Sequence, residues 1–477
     1  MDSKTAFHEP AAEPGLAYYA VAETDRPRTC NKRKFLKAIG FGALTLWALS
    51  QLARLHSRPV FFERAQMSLQ PWPVPSNVVI DHCAEWSDGV TSGSEFPYSS
   101  DVGFELPVSS ETLFLISREA MRRGSIFSTG RVNYVQSDDA SESVTVDITA
   151  FYWTEEHLNA AKACLLKRDG NENGVGIFVR ISSPQTSAEV IYPISDQVGS
   201  GYPREKHDKL RFEVTVTFPR ASDDLPLAIN NLSTDLGIFS QTFGDMSDIV
   251  FKSLSLKAAL APIYAESLYA GNATLKTSLG SIKVQSLLAE NADIQTSMGP
   301  IEGTFNASNT LSLVTHNAHI IVDVNLVNAQ DEKPAKLHMS TSNSLLQSKI
   351  TLEASKKIDP AFDITARTSN AGLDLAVLAA PIDSTVTLHA TTSIGRAAVV
   401  LPPTYEGSFR AATSLSPISV KVDEKAADPK GEGRTRSVEY VQLRHGMAHG
   451  TVAWSPEGKT RGAVTVRTSL SPLSLEF

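Results

Sequence analysis

The chain has 477 residues, 42% hydrophobic and 20% charged, with 28 Gly and 25 Pro, a globular composition that excludes a largely disordered or collagen-like chain. Its formal charge of −8 is uneven: residues 1–58 hold nine Lys/Arg against five acids (+4), and the remaining 35 bases face 47 acids (−12). A body of that sign repels phosphate backbones, which excludes nucleic acid as its partner.

Residues 1–34 read as a cytosolic, disordered tail. Within it Cys30 lies beside basic residues and is a palmitoylation candidate. Tyr18-Tyr-Ala-Val21 matches a short tyrosine-based sorting pattern. Lys32-Arg33-Lys34 and Lys37 then lead into the apolar run from Ala38 to Ala53, and Arg54, His56 and Arg58 follow it. Sixteen helical residues span roughly 24 Å, a little under a bilayer core. Phe35, Leu36 and Leu55 extend the run if Lys37 and Arg54 reach towards headgroups. The pattern predicts a transmembrane signal anchor over 35–55, with the N-terminus cytosolic and the body luminal or extracellular. Ala48-Leu-Ser50 also suits signal-peptidase cleavage, but the polar segment before Lys32 is far longer than a usual leader start.

Residues 56–100 read as a proline-stiffened stalk, centred on Pro71-Trp-Pro-Val-Pro75. From 101 to 220 the pattern is strands with one helix. Thr112–Ser117, Arg131–Gln136, Val144–Tyr152, Gly174–Ile181 and Leu210–Phe218 alternate or are rich in β-formers. Thr154 followed by two glutamates and helical apolar spacing predicts a helix to Leu166. Ser182–Lys209 is a long polar loop. Cys83 and Cys164 lie on the same side of the anchor and either pair or remain as buried thiols. Sequons stand at Asn231, Asn272 and Asn306, all beyond the anchor, as glycosylation on the luminal side requires.

Residues 221–477 repeat. Thr277-Ser-Leu-Gly-Ser-Ile282, Thr296-Ser-Met-Gly-Pro-Ile301, Thr315-His-Asn-Ala-His-Ile320 and Thr341-Ser-Asn-Ser-Leu-Leu346 share one motif, which returns at Thr368, Thr392, Thr413 and Thr468. Ala258-Ala-Leu-Ala-Pro-Ile263 is a degenerate first copy, and the spacings are 19, 19, 19, 26, 27, 24, 21 and 55. Mostly apolar residues stand two and four before each threonine and five and seven after it, as in Ala273/Leu275 and Ile282/Val284. Two short strands therefore share a buried face across a tight turn, and the threonine has the inward parity. A unit this short cannot bury its own face, so units must stack. Nine at about 4.8 Å make roughly 43 Å. Stacked β-arcs (a solenoid) and consecutive hairpins (a curled sheet) both fit this parity. The long last spacing holds a charged loop, 423–437, expected to hang from one rung as a mobile excursion.

The run of Thr-Ser-x-Gly-x-Ile units resembles adhesin-like β-solenoid families of unassigned function. The whole order of anchor, stalk, strand–helix region with Gly174-Val-Gly176, and repeats is similar to uncharacterised fungal single-pass membrane proteins. That resemblance covers about residues 100–477 and implies no catalytic residue.

No nucleophile elbow, Walker loop or His-Glu-x-x-His occurs. His445-Gly-Met-Ala-His449 has zincin-like separation without the glutamate, and Gly174-Val-Gly176 opens no helix. His316 and His319 flank a turn and are expected to face solvent, and Asp138-Asp139 and Asp223-Asp224 sit in polar turns. No Asp-x-Asp of the metal–nucleotide glycosyltransferase type occurs. No catalytic, metal or cofactor site is expected. The sequence predicts a non-enzymatic, membrane-anchored β-rod, adhesin-like or structural, with a glycan or protein ligand. The alternative is a glycan lyase or hydrolase on the same scaffold.

Overall fold

The computed structural model describes residues 72–87, 89–91, 95–119, 128–180, 210–220, 225–329, 333–355, 359–423, 425–443 and 446–477. The tail with Cys30, the predicted anchor, the polar loop, Asp223, Asp224 and His445 lie outside these residues. Among the described residues, no helix is long and apolar enough to cross a membrane. They are mainly β: 27 strands join in one long, mixed, stacked sheet.

The repeat builds the stack by parallel pairing. Ile263–Lys276, Ile282–Gln295 and Ile301–Val314 pair nineteen residues apart, so Ile263, Ile282, Ile301 and Ile320 form one row. Consecutive hairpins would have paired antiparallel. Within the 263–276 strand the buried residues run Ile263 and Ala265, then Leu268 and Ala270, then Ala273 and Leu275. Two slips of parity therefore keep the apolar side chains on one side as the chain changes direction. Longer spacings after Thr315 split the unit in two. Ile320–Asn328 continues the first half of Ile301–Val314, and Ala335–Ser340 continues its second half.

The stack does not begin at 221. Leu227–Leu236 lies parallel to Thr112–Glu119, which lies on Glu172–Val179. Phe239–Lys257 lies parallel to Ser128–Ala140, which lies on Leu210–Arg220. The expected boundary at 220 thus falls inside continuous sheet. The expected stalk is also partly sheet: Val79–Cys83 and Val90–Thr91 are antiparallel edge strands, on Ala161–Arg168 and Tyr98–Pro107. Trp72 is held between cations, with Lys162 at 4.8 Å and Arg180 at 4.6 Å from its ring.

The predicted helix is corrected too. Only Glu155–Asn159 is helical, and Ala161–Arg168 is a strand between Val79–Cys83 and Glu172–Val179. Sheet pairing on both sides, with Ala161, Ala163, Cys164 and Leu166 buried, outweighs the helical spacing. Cys83 and Cys164 stand opposite each other in that pairing and form a disulfide.

The largest departure is at the C-terminal end. Gly462–Arg467 and Leu473–Glu476 do not follow Gly407–Ala412 and Ile418–Lys421 in the stack; they lie between those strands and Thr385–Thr391 and Ala397–Val400. The 55-residue spacing is thus an out-and-back path. It runs through the antiparallel strands Ser437–Leu443 and Met447–Ala453, which cover Gly407–Ala412.

The charged loop is pinned by ion pairs. The Asp428 carboxylate accepts the backbone N–H groups of Lys430, Glu432 and Arg434 at 3.0 Å each and the Arg434 guanidinium at 2.6 Å. Lys430 reaches Asp383 at 2.8 Å. The Arg434 hydrogen bonds hold the Asp428 carboxyl far below the usual aspartate value, and the Lys430 ammonium lowers Asp383. Depressed carboxyls stabilise above their unfolded pKa, and that contribution is lost as pH falls through the folded one. Neutralising the group at pH 7 should reproduce the acid effect. Asp428→Asn should speed tryptic cleavage after Lys430 roughly tenfold, read by peptide mass; an unchanged rate would show that the carboxylate does not hold the loop.

Candidate binding surface

Each repeated corner is built by its threonine, which is buried at every copy. The hydroxyl donates to the backbone carbonyl three residues beyond the preceding corner's threonine position. Thr296 bonds to Gly280 O (3.1 Å), Thr315 to Gly299 O (3.1 Å), Thr341 to Ala318 O (2.8 Å) and Thr392 to Ala371 O (3.0 Å). The pattern continues through Thr468 to Gly395 O, and from Thr413 to Ser471 O. Thr296 also accepts the Gly299 N–H at 3.1 Å. Its replacement by valine, of similar shape, leaves both backbone groups unpaired in a buried corner. Thr296→Val should lose about 1–3 kcal/mol in a urea melt, and Thr296→Ser clearly less. Equal losses would assign the effect to the methyl group.

Holding the corners in register lines up the residues at their tips. Two positions after each threonine, or after Ala258, stand Leu260, Leu279, Met298, Asn317, Asn343, Asn370, Ile394, Leu470 and Leu415 in spatial order. All are exposed, the apolar ones from 39% at Leu260 to 79% at Leu415. Two apolar runs therefore flank an amide run. The amides bond along the row, Asn343 to Asn317 at 2.6 Å and Asn370 to Asn343 at 2.5 Å. Basic residues border the ridge at the position before the threonine or Ala258: Lys257, Lys276, Arg367 and Arg467. Lys276 is compensated by Asp293 at 3.0 Å. The ridge was missed in the sequence because a lone apolar residue at a turn is unremarkable. Only the register turns nine turns into one surface.

The structure separates the other sequence candidates. His316 is exposed, but His319 is half-buried with Nε2 2.9 Å from Glu302 Oε1, and Lys283 lies 3.4 Å from Glu302 Oε2. The His319 hydrogen bond is the main cause of the lowered Glu302 pKa. His449 is exposed on a strand opposite Arg410. Asp138 and Asp139 end a strand and do not cap a turn. Asp138 lines an open depression of about 490 Å³ with Arg220, Asp245 and Asp248. The Asp245 carboxyl is lowered by the Ser267 hydroxyl first and by Ser247. Among the described residues, no group of three or more His, Cys, Asp or Glu is placed to hold a metal ion.

The sequons differ in their amides. Asn231 Nδ2 donates to Glu111 O at 2.7 Å. Asn272 is exposed and uses its oxygen, which accepts from Asn291 Nδ2 at 3.0 Å. Asn306 is half-buried in the row between Leu288 and Asn325.

No protein-family model and no curated protein matches the sequence. Among solved structures, a candidate cell adhesion protein from Clostridium sporogenes is similar at 8% identity over 79% of this chain and 99% of that one. Its TM-score of 0.15 is too low to relate the two folds.

Proposed function

We propose that the chain is a single-pass membrane protein whose luminal or extracellular body is a β-solenoid rod, an adhesin-like binding or structural module without catalysis. The observation that carries this reading is the corner ridge. Nine aligned tips, apolar at both ends, give a binding protein a long, preorganised contact line. The Cys83–Cys164 disulfide supports an oxidising compartment, in agreement with the basic-flanked anchor sequence. A glycan or a protein is the ligand class.

The test uses the full-length chain in lipid nanodiscs, applied to a glycan array and to a displayed extracellular protein library. Binding should be lost in Leu279→Asp/Leu470→Asp while the melting profile is kept. Retained binding in that variant would discard the ridge, and no binding to either set would leave only the structural form of the reading. The second reading, a glycan lyase or hydrolase, is favoured by the carboxylates of Asp138, Asp245 and Asp248 around one depression among the described residues. Released sugar products that disappear in Asp245→Asn would establish it.

Glycosylation is proposed at Asn272 because its amide nitrogen is the atom that the row of asparagines leaves for a glycan. In a secretory host, Asn272→Gln should remove a deglycosidase-sensitive mobility shift and Asn231→Gln should not. The converse would overturn the assignment.

A further inference from the structure

Three successive segments of the stack have equivalent inward faces. Thr385–Thr391, Gly407–Ala412 and Gly462–Arg467 carry the same inward pattern: Val386, Leu388 and Ala390; Phe409 and Ala411; Val464 and Val466. Leu388 pairs with Val464, and Val464 with Phe409. Each is followed directly by a corner threonine, Thr392, Thr413 or Thr468. By pattern alone, Gly407–Ala412 fits directly on Thr385–Thr391, the order in which the two leave the ribosome. The observed order has Gly462–Glu476 inserted between them. Backbone bonds run along both its edges, from Thr392 N to Arg467 O (2.9 Å) and from Thr468 N to Ala412 O (3.0 Å).

Two local features belong to the inserted order alone. Gly407 and Gly462 face each other, with Gly407 at φ +150°; a Cβ on Gly407 would collide with the Gly462 backbone. The second feature is Glu406, a buried carboxylate just before that glycine. Its Oε1 accepts Trp454 N–H at 2.6 Å and Ser455 N–H at 3.2 Å, and its Oε2 pairs with Arg461. These residues are the two ends of the connection that delivers the inserted strand. Arg461 is also held by Asp383 at 2.9 Å, next to the loop that Lys430 ties down.

We infer that this end of the stack has two orders, sequential and interleaved, and that Glu406 is the positioning residue that selects the interleaved one by latching 454–461. Residues 462–477 are then a displaceable rung. When the latch opens, Gly407–Ala412 closes onto Thr385–Thr391 and the 462–477 strand is expelled with its backbone unpaired. The same sequence thereby has a closed end and an end with an available strand.

Paired cysteines on the outward parity report the order in the full chain with Cys30→Ser. His389 and Thr465 are register neighbours, so His389→Cys/Thr465→Cys forms a disulfide in the interleaved order. His389 and Arg410 are then two strands apart, about 9.6 Å, beyond disulfide reach, and His389→Cys/Arg410→Cys closes only in the sequential order. With Glu406 intact, the first pair should oxidise and the second should not. With Glu406→Ala the second pair should close, and amide exchange in 462–477 should rise at least roughly tenfold. A merely structural Glu406 would lower the melting temperature without changing which pair closes. Formation of the 389–410 disulfide with Glu406 intact, or its absence in a cooperatively folded Glu406→Ala, overturns the inference. If Glu406→Ala shows no cooperative melt, Gly462→Ala opens the same slot with Glu406 in place. It should give the same exchange of pairs, and failure to do so would also overturn it.

Discussion

Ile301→Asp is expected to destabilise the stack by several kcal/mol, about 4 or more. Ile301 is fully buried in one row with Ile282 and Ile320, themselves fully buried. A carboxylate there has no cation within the apolar interior and must either protonate or force the row apart. Because each rung buries its face only against its neighbours, the damage should spread along the stack. Exchange should therefore accelerate in 282–295 and 320–328 as well as in 301–314. The control is Lys283→Asp, one residue from the same row on the outward parity. Its side chain is half-exposed and 3.4 Å from Glu302 Oε2, so the change exchanges a weak attraction for a repulsion. A salt-sensitive loss of about 1 kcal/mol is expected. Equal urea midpoints for the two variants would mean that the parity is wrong.

Removing the disulfide should have the second-largest effect. Cys83 and Cys164 are 81 residues apart in sequence, and in the chain-entropy view closing such a loop is worth about 4.5 kcal/mol. The measured loss in Cys83→Ser/Cys164→Ser should fall within about 2–5 kcal/mol. It should be concentrated at Val79–Cys83, an edge strand paired on one side, whose Val79 and Ile80 are exposed. Intact mass after alkylation of native protein checks the premise: two modified thiols at these positions would remove it.

Much of the architecture is legible in the residues because it rests on local alternation. The positions two and four before each corner threonine and five and seven after it are mostly the buried ones, as at Ala273, Leu275, Ile282 and Val284. The inward threonine also follows from that count, although its acceptor, a carbonyl of the preceding corner, does not. Period alone misled at Thr154–Leu166. There, apolar residues spaced for a helix were claimed by two flanking strands and a disulfide, which are long-range partners. The charged loop read as mobile in part for a similar reason, since Asp383, which Lys430 reaches, lies far from the loop in sequence.

The candidate site divides in the same way. Every ridge residue was visible as a turn residue, yet a surface made of one side chain per rung exists only once the rungs are in register. Rung order is a further step removed from the residues. Alternation states which face of a strand is buried and says nothing about which of several equivalent strands lies next to it. At the C-terminal end that choice falls to contacts that no periodicity carries: a glycine opposite a glycine, and the Glu406 carboxylate gripping both ends of one connection.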